Sequence, residues 1–139
     1  MQKLKGMEPI VKEWYDSLKE GKILGLRCPK CGNVEFPPLP VCNKCGNYKD
    51  MEWVEMSGEG ELLSFSVSMT GIFGYSTDPE VTGYAKLKEG MYYAGVLEGV
   101  SPEDCDALVD RLENGTVKIQ LYDAKISDEY NFPYMRIID

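Results

Sequence analysis

The apolar positions change their period along this chain, and the changes mark out its elements. Ile10, Val11, Trp14 and Leu18 recur at helical spacing behind Pro9, and Gly21 supplies a stop. A short N-terminal helix is predicted there, with Trp14 as a core anchor. Ile23 to Leu26 reads as a strand. The stretch from Val34 to Pro40 holds three prolines in four residues, an extended and stiff spacer. From Trp53 the period shortens to two. Leu63, Phe65, Val67 and Met69 alternate with Ser64, Ser66 and Ser68, the pattern of a half-buried strand with the apolar set inward.

Two further strands are predicted at 81–88 and 91–98, split by a turn at Glu89 and Gly90. Ser101, Pro102, Glu103 and Asp104 then open a helix with a cap, a first-turn proline and acids at the positive end of the dipole. Its apolar stripe is Cys105, Leu108, Val109 and Leu112, and Asn114 and Gly115 end it. Val117, Ile119 and Leu121 mark a fourth strand, and 134–138 a fifth. Three strands, a helix and two strands is the order of an OB-fold barrel. The expected architecture is mainly β: an N-terminal helix over 1–22, a small cysteine-bearing ribbon over 23–50, and a five-stranded OB-fold barrel over 51–139.

Two cysteine pairs set the chemistry of the front. Cys28 and Cys31 precede Gly32, and Cys42 and Cys45 precede Gly46. Two residues between thiols let both sulfurs reach one ion from a tight turn, and the following glycine can take the positive φ that such a turn needs. Four thiolates describe a closed, structural zinc site with no position left for water or substrate. A rubredoxin-like iron is the alternative occupant, and two disulfides are the alternative use of the thiols. Disulfides need an oxidising compartment, whereas the first eight residues hold no apolar signal region, so a cytoplasmic setting is expected. No stretch approaches the roughly 18 apolar residues of a membrane span.

Charge is unevenly distributed. Residues 1–49 carry nine Lys/Arg against five Asp/Glu, a balance of +4, and residues 50–139 carry six against eighteen, a balance of −12. The chain has no histidine, which removes the commonest general base and any serine–histidine or cysteine–histidine pair. No catalytic residue is assigned. Cys105, the thiol outside the two pairs, falls on the apolar stripe of its helix, where cysteine behaves as a small hydrophobe.

In the ordered set of its motifs, the chain resembles a family of small archaeal and bacterial acyl-CoA-associated proteins with a helix, a rubredoxin-like zinc ribbon and an OB-fold. The two knuckles carry the match, with Phe36, Pro37 and Pro38 between them. Behind the second knuckle it continues through Trp53, Val54 and Glu55, and then Gly58 to Ser66. The resemblance implies an accessory subunit of a thiolase-fold enzyme acting on acyl-CoA thioesters. Thiolases, hydroxymethylglutaryl-CoA synthase, steroid side-chain aldolases and hydratases, and benzoylsuccinyl-CoA thiolase are such enzymes. It transfers metal binding to Cys28, Cys31, Cys42 and Cys45, and no catalytic role, since the partner supplies the catalytic cysteine and histidine.

Two sets of contact residues are expected beside the metal. Arg27, Lys30 and Lys44 flank the knuckles and are candidates for the phosphates of coenzyme A, with simple charge balance as the plainer use. Phe73 and Tyr75, in a Gly/Ser-rich loop, and Tyr130 and Phe132 are candidate partner contacts. Rival functions are a nucleic-acid module and a rubredoxin-like electron carrier. Tyr84, Tyr92 and Tyr93 offer base-stacking surfaces, but a balance of −12 repels a polyanion, so no nucleic-acid partner is expected.

Overall fold

The computed structural model describes residues 8–69 and 78–138. Helix α1 (Pro9–Lys19) starts under Glu8, whose carboxylate accepts from the N–H groups of Ile10 at 3.0 Å and Val11 at 3.3 Å. It ends in a Schellman turn: Gly21 donates to Leu18 and Lys22 donates to Ser17, with Gly21 at φ +82°. Trp14 and Leu18 are its buried residues.

Three short strands follow: β1 (Leu24–Arg27), β2 (Val34–Glu35) and β3 (Glu52–Glu55). They form an antiparallel sheet in the order β2-β1-β3. The chain folds into two compact units, and the front one joins these elements to residues 123–133, which return to it from far along the sequence. In it Trp14 Nε1 donates to the Leu24 carbonyl at 2.7 Å, and its ring meets Phe36 and Phe132 edge-on at 6.0 and 5.9 Å.

The second unit takes 58–122 and the residues from Tyr134 on. Strands β4 (Glu59–Ser68), β5 (Glu80–Leu87), β6 (Tyr92–Glu98), β7 (Val117–Lys125) and β8 (Asn131–Ile138) close a barrel in the order β4-β5-β6-β8-β7. A 3-10 turn (Pro102–Asp104) and helix α2 (Cys105–Asn114) sit between the third and fourth barrel strands, as the sequence order predicts. The β6–β8 pairing is parallel, with Leu97 opposite Met135, and the remaining recorded ladders are antiparallel. Ser101 donates to Asp104 from its N–H and its hydroxyl, both at 3.0 Å. Those two bonds hold the Asp104 carboxyl below its ordinary range, so this cap operates at neutral pH and is lost as acid protonates it.

Two apolar assignments differ from expectation. The alternating set on β4 holds only in part, because a bulge shifts the register between Leu62 and Ser64. Leu62 is buried at 3 % exposure, whereas Leu63 is 45 % exposed and Met69 72 %. Beyond the bulge, Phe65 is half-buried opposite Gly83, whereas Val67 is 39 % exposed opposite the buried Val81, so the inward set does not continue past Phe65. On α2, Leu108 is buried and Val109 is exposed. Val109 lies about 100° around the helix from Leu108, too far to share its contacts.

Barrel closure depends on a position without a side chain. A Cβ at Gly60 would stand 2.7 Å from the Lys86 carbonyl oxygen and 3.1 Å from Leu87 Cδ2. Backbone cannot yield as a flexible side chain does. Gly60→Ala is therefore expected to destabilise the barrel by about 1–3 kcal/mol, read as a lower urea midpoint with an unchanged slope. An unchanged midpoint would show that the strands part at no cost.

Candidate metal centre

Each knuckle is built by the same local bonds. Cys28 N–H donates to Asn33 and Gly32 N–H to Cys28; Cys42 N–H donates to Asn47 and Gly46 N–H to Cys42, all at 2.8 Å. Gly32 and Gly46 take φ of +80° and +77°, a conformation costly for residues with a side chain. The turns bring four sulfurs together. Cys28 and Cys45 Sγ are 3.6 Å apart, Cys31 and Cys42 Sγ 3.5 Å, and all four lie within 4.8 Å of one another. Thiolates at about 2.3 Å from one tetrahedral ion stand about 3.8 Å apart, so the four fit a single ion with their short edges slightly compressed. Cys28 and Cys42 are buried; Cys31 and Cys45 face outward.

Backbone N–H groups tune these sulfurs. Burial raises the Cys28 thiol, but N–H donors of Cys31 and Lys30 together with the Cys45 sulfur bring it below its ordinary value. N–H of Cys45 lowers Cys42 most, against burial, and takes it to about 6. Cys31 is lowered by the Asn33 N–H, yet burial and the neighbouring sulfurs outweigh that and push it up to about 11. Among themselves the thiols thus divide into two shifted toward the thiolate, Cys28 and Cys42, and one that holds its proton more tightly, Cys31. A divalent ion displaces that proton on binding.

Sequence reasoning missed Glu35. Buried at 8 % exposure, its Oε1 accepts from Asn33 Nδ2 at 2.9 Å and from Asn43 N–H at 2.7 Å, and its Oε2 accepts from Asn43 Nδ2 at 3.2 Å. Asn33 follows the first knuckle and Asn43 lies inside the second, so one carboxylate ties both together. Asn33 Nδ2 also reaches Cys42 Sγ at 3.7 Å. The signal was present: Glu35 is the sole acid between Gly21 and Lys49. Glu35→Ala removes the acceptor of three donors and unties the two knuckles; the half-buried Asn33 amide loses most, whereas the exposed Asn43 can turn to water. The substitution is expected to weaken metal retention roughly 10- to 100-fold, as loss of an orienting group around a metal does. Competition with a chromogenic chelator measures this; retention equal to the parent chain would remove Glu35 from the centre.

The other expected contact residues scatter. Arg27 Nη1 is paired with Glu52 Oε2 at 3.3 Å, and Lys30 and Lys44 are exposed within their knuckles. Tyr130, at 9 % exposure, packs its ring 5.6 Å from Tyr15, and Phe132 packs 5.9 Å from Trp14, so both rings serve the front unit's core. Phe73 and Tyr75 lie outside the described residues. Of the tyrosines weighed for base stacking, Tyr93 is buried, and Tyr84 and Tyr92 stack on each other at 5.7 Å. Cys105 Sγ faces the Ser101 carbonyl at 3.6 Å. Burial, followed by Asp104, Asp106 and Glu103, raises this thiol and makes it a poor nucleophile.

Residues 16–48 match the family described as the ChsH2 rubredoxin-like zinc ribbon domain. The match is confined to the stretch that carries the two knuckles. The ribbon's surroundings have relatives too. A DUF35 domain-containing scaffold protein of Methanocaldococcus jannaschii is 29 % identical over 96 residues, which make up 68 % of this chain and 68 % of that protein. The benzoylsuccinyl-CoA thiolase subunit BbsA of Thauera aromatica is 39 % identical over 95 residues, covering 68 % of this chain and 64 % of that subunit, slightly less than two thirds. Among solved structures, a chain of the Ltp2-ChsH2(DUF35) aldolase superposes with a TM-score of 0.73 at 24 % identity, over 95 % of this chain and 97 % of that one. That likeness is one of fold: ribbon and barrel together recur in it. Among the described residues, no helix is long and apolar enough to cross a membrane.

Proposed function

We propose that this chain is a non-catalytic scaffold subunit of a thiolase-like enzyme acting on acyl-CoA thioesters, built on one structural zinc ion. The observation that carries the reading is the closed set of four thiolates in a chain without histidine. Such a centre supplies fold and leaves no coordination position for a substrate. Carbon–carbon bond formation or cleavage next to a thioester needs an activated nucleophile and a base working near neutral pH. The raised thiol of Cys105 fits neither role, so the partner supplies both. The thiolase subunit and the scaffold protein among the relatives support the same assignment.

Co-expression with a thiolase-like subunit from the same genome tests it. The expected result is a co-purifying hetero-oligomer with one zinc per copy of this chain, colourless, with thioester turnover only when both subunits are present. Turnover by this chain alone would overturn the reading, and a red preparation with a visible thiolate-to-iron band would replace zinc by iron. Contact between coenzyme A phosphates and Arg27, Lys30 and Lys44 is a separate element of the proposal. Alanine at all three positions is expected to weaken coenzyme A binding by the complex; unchanged affinity would assign those cations to charge balance.

A further inference from the structure

The run between the knuckles turns apolar side chains toward water. Phe36 is 5 % exposed and Pro38 is buried, and these two fasten the run to the front unit. Leu39 and Val41 point the other way, at 44 % and 46 % exposure, with Pro37 and Pro40 exposed beside them. A spacer has no need of apolar groups in solvent, since serine or lysine would space the knuckles equally well. Pro37, Pro38 and Pro40 fix φ at their positions, and Cys42, directly after Val41, belongs to the metal centre. The apolar tip is therefore stiff before anything binds it, and little ordering cost remains to be met on docking.

Charge around the tip narrows the partner. From Gly21 to Lys49 the chain carries five cations and one carboxylate, Glu35, which is buried beneath Asn33 and Asn43. That span thus offers no exposed carboxylate, while Lys30 and Lys44 stand exposed in the knuckles. A nucleic acid would use the lysines and leave Leu39 and Val41 facing water. An apolar cleft rimmed by carboxylates uses both.

The geometry points to the Leu39–Val41 tip as a docking plug that enters an apolar, acid-rimmed cleft on the enzyme subunit which this chain supports. The inference rests on the scaffold reading above and adds the surface by which the scaffold holds its partner. Lys30 and Lys44, exposed in the knuckles on either side of the plug in sequence, would give its association a dependence on salt.

The test uses the full chain with the thiolase-like subunit from the same genome. A photoreactive residue is placed at Leu39 and, as a control, at the exposed Val109 of α2. Position 39 is expected to crosslink to the enzyme subunit at a peptide with apolar residues beside Asp or Glu, and position 109 is expected not to. In parallel, Leu39→Asp with Val41→Asp is expected to raise the Kd of the complex at least tenfold with zinc content unchanged, and Lys30→Glu with Lys44→Glu to do the same most strongly at low salt. If the parent chain binds the enzyme subunit but position 39 yields no crosslink, or the aspartate pair leaves Kd unchanged, the plug is wrong and the scaffold reading stands. If the parent chain does not bind that subunit at all, the scaffold reading itself falls and the plug with it. A crosslink from position 39 to a second copy of this chain, or to nucleic acid, also overturns the plug.

Discussion

Cys42→Ser is expected to empty the metal centre and unfold the front unit while the barrel stays folded. Cys42 is buried, has its thiol lowered to about 6, and receives Asn33 from across the other knuckle. Serine offers a harder and far more basic oxygen, so a four-sulfur site becomes a three-sulfur one. The front unit has little else to fall back on. Its sheet is three strands of four, two and four residues. Structural zinc contributes on the order of 10 kcal/mol to folding in modules of this size, more than the whole stability of many domains. The barrel has its own core, with Ile119 and Met135 at 0 % exposure. Calorimetry should therefore show two transitions in the parent chain and one in Cys42→Ser, with zinc per chain falling from one to near zero. Two retained transitions with no bound metal would mean that the front unit stands on packing alone.

The second large effect is expected at Trp14. Its ring is 2 % exposed, meets Tyr15, Phe36 and Phe132 edge-on, and spends its N–H on the Leu24 carbonyl. Trp14→Ala removes the ring and the donor together, at about 3–5 kcal/mol for a buried aromatic. Trp14→Phe keeps most of the ring contacts and gives up the hydrogen bond, so a loss of about 1–2 kcal/mol is expected. Chemical unfolding followed by near-ultraviolet circular dichroism separates the two variants. Equal losses would mean that the hydrogen bond, rather than the packing, holds the helix down.

Features encoded by local spacing were readable from the sequence. The knuckles, the positive φ of Gly32 and Gly46, the stop at Gly21 and the succession of barrel strands and helix along the chain each follow from a few neighbouring residues. What was hidden depends on partners distant in sequence or on a choice between equal registers. Leu62 and Leu63 are adjacent leucines, and either could lead the inward set; the bulge decides, and nothing local announces it. Tyr130 and Phe132 read as loop aromatics because their partners, Tyr15 and Trp14, lie more than a hundred residues earlier. Glu35 stood out as the sole acid between Gly21 and Lys49, but its three donors become visible only once the two knuckles are brought together.

The return of residues 123–133 to the front unit has a consequence for how this protein is made. A ribosome that has released only the first half of the chain has emitted every metal ligand but neither Phe132 nor Tyr130, so a nascent ribbon can capture its ion long before its hydrophobic floor arrives. For the same reason, an excised fragment stopping at Ser57 would be an incomplete graft. Transplanting the ribbon into another protein requires carrying that distant eleven-residue segment along with it.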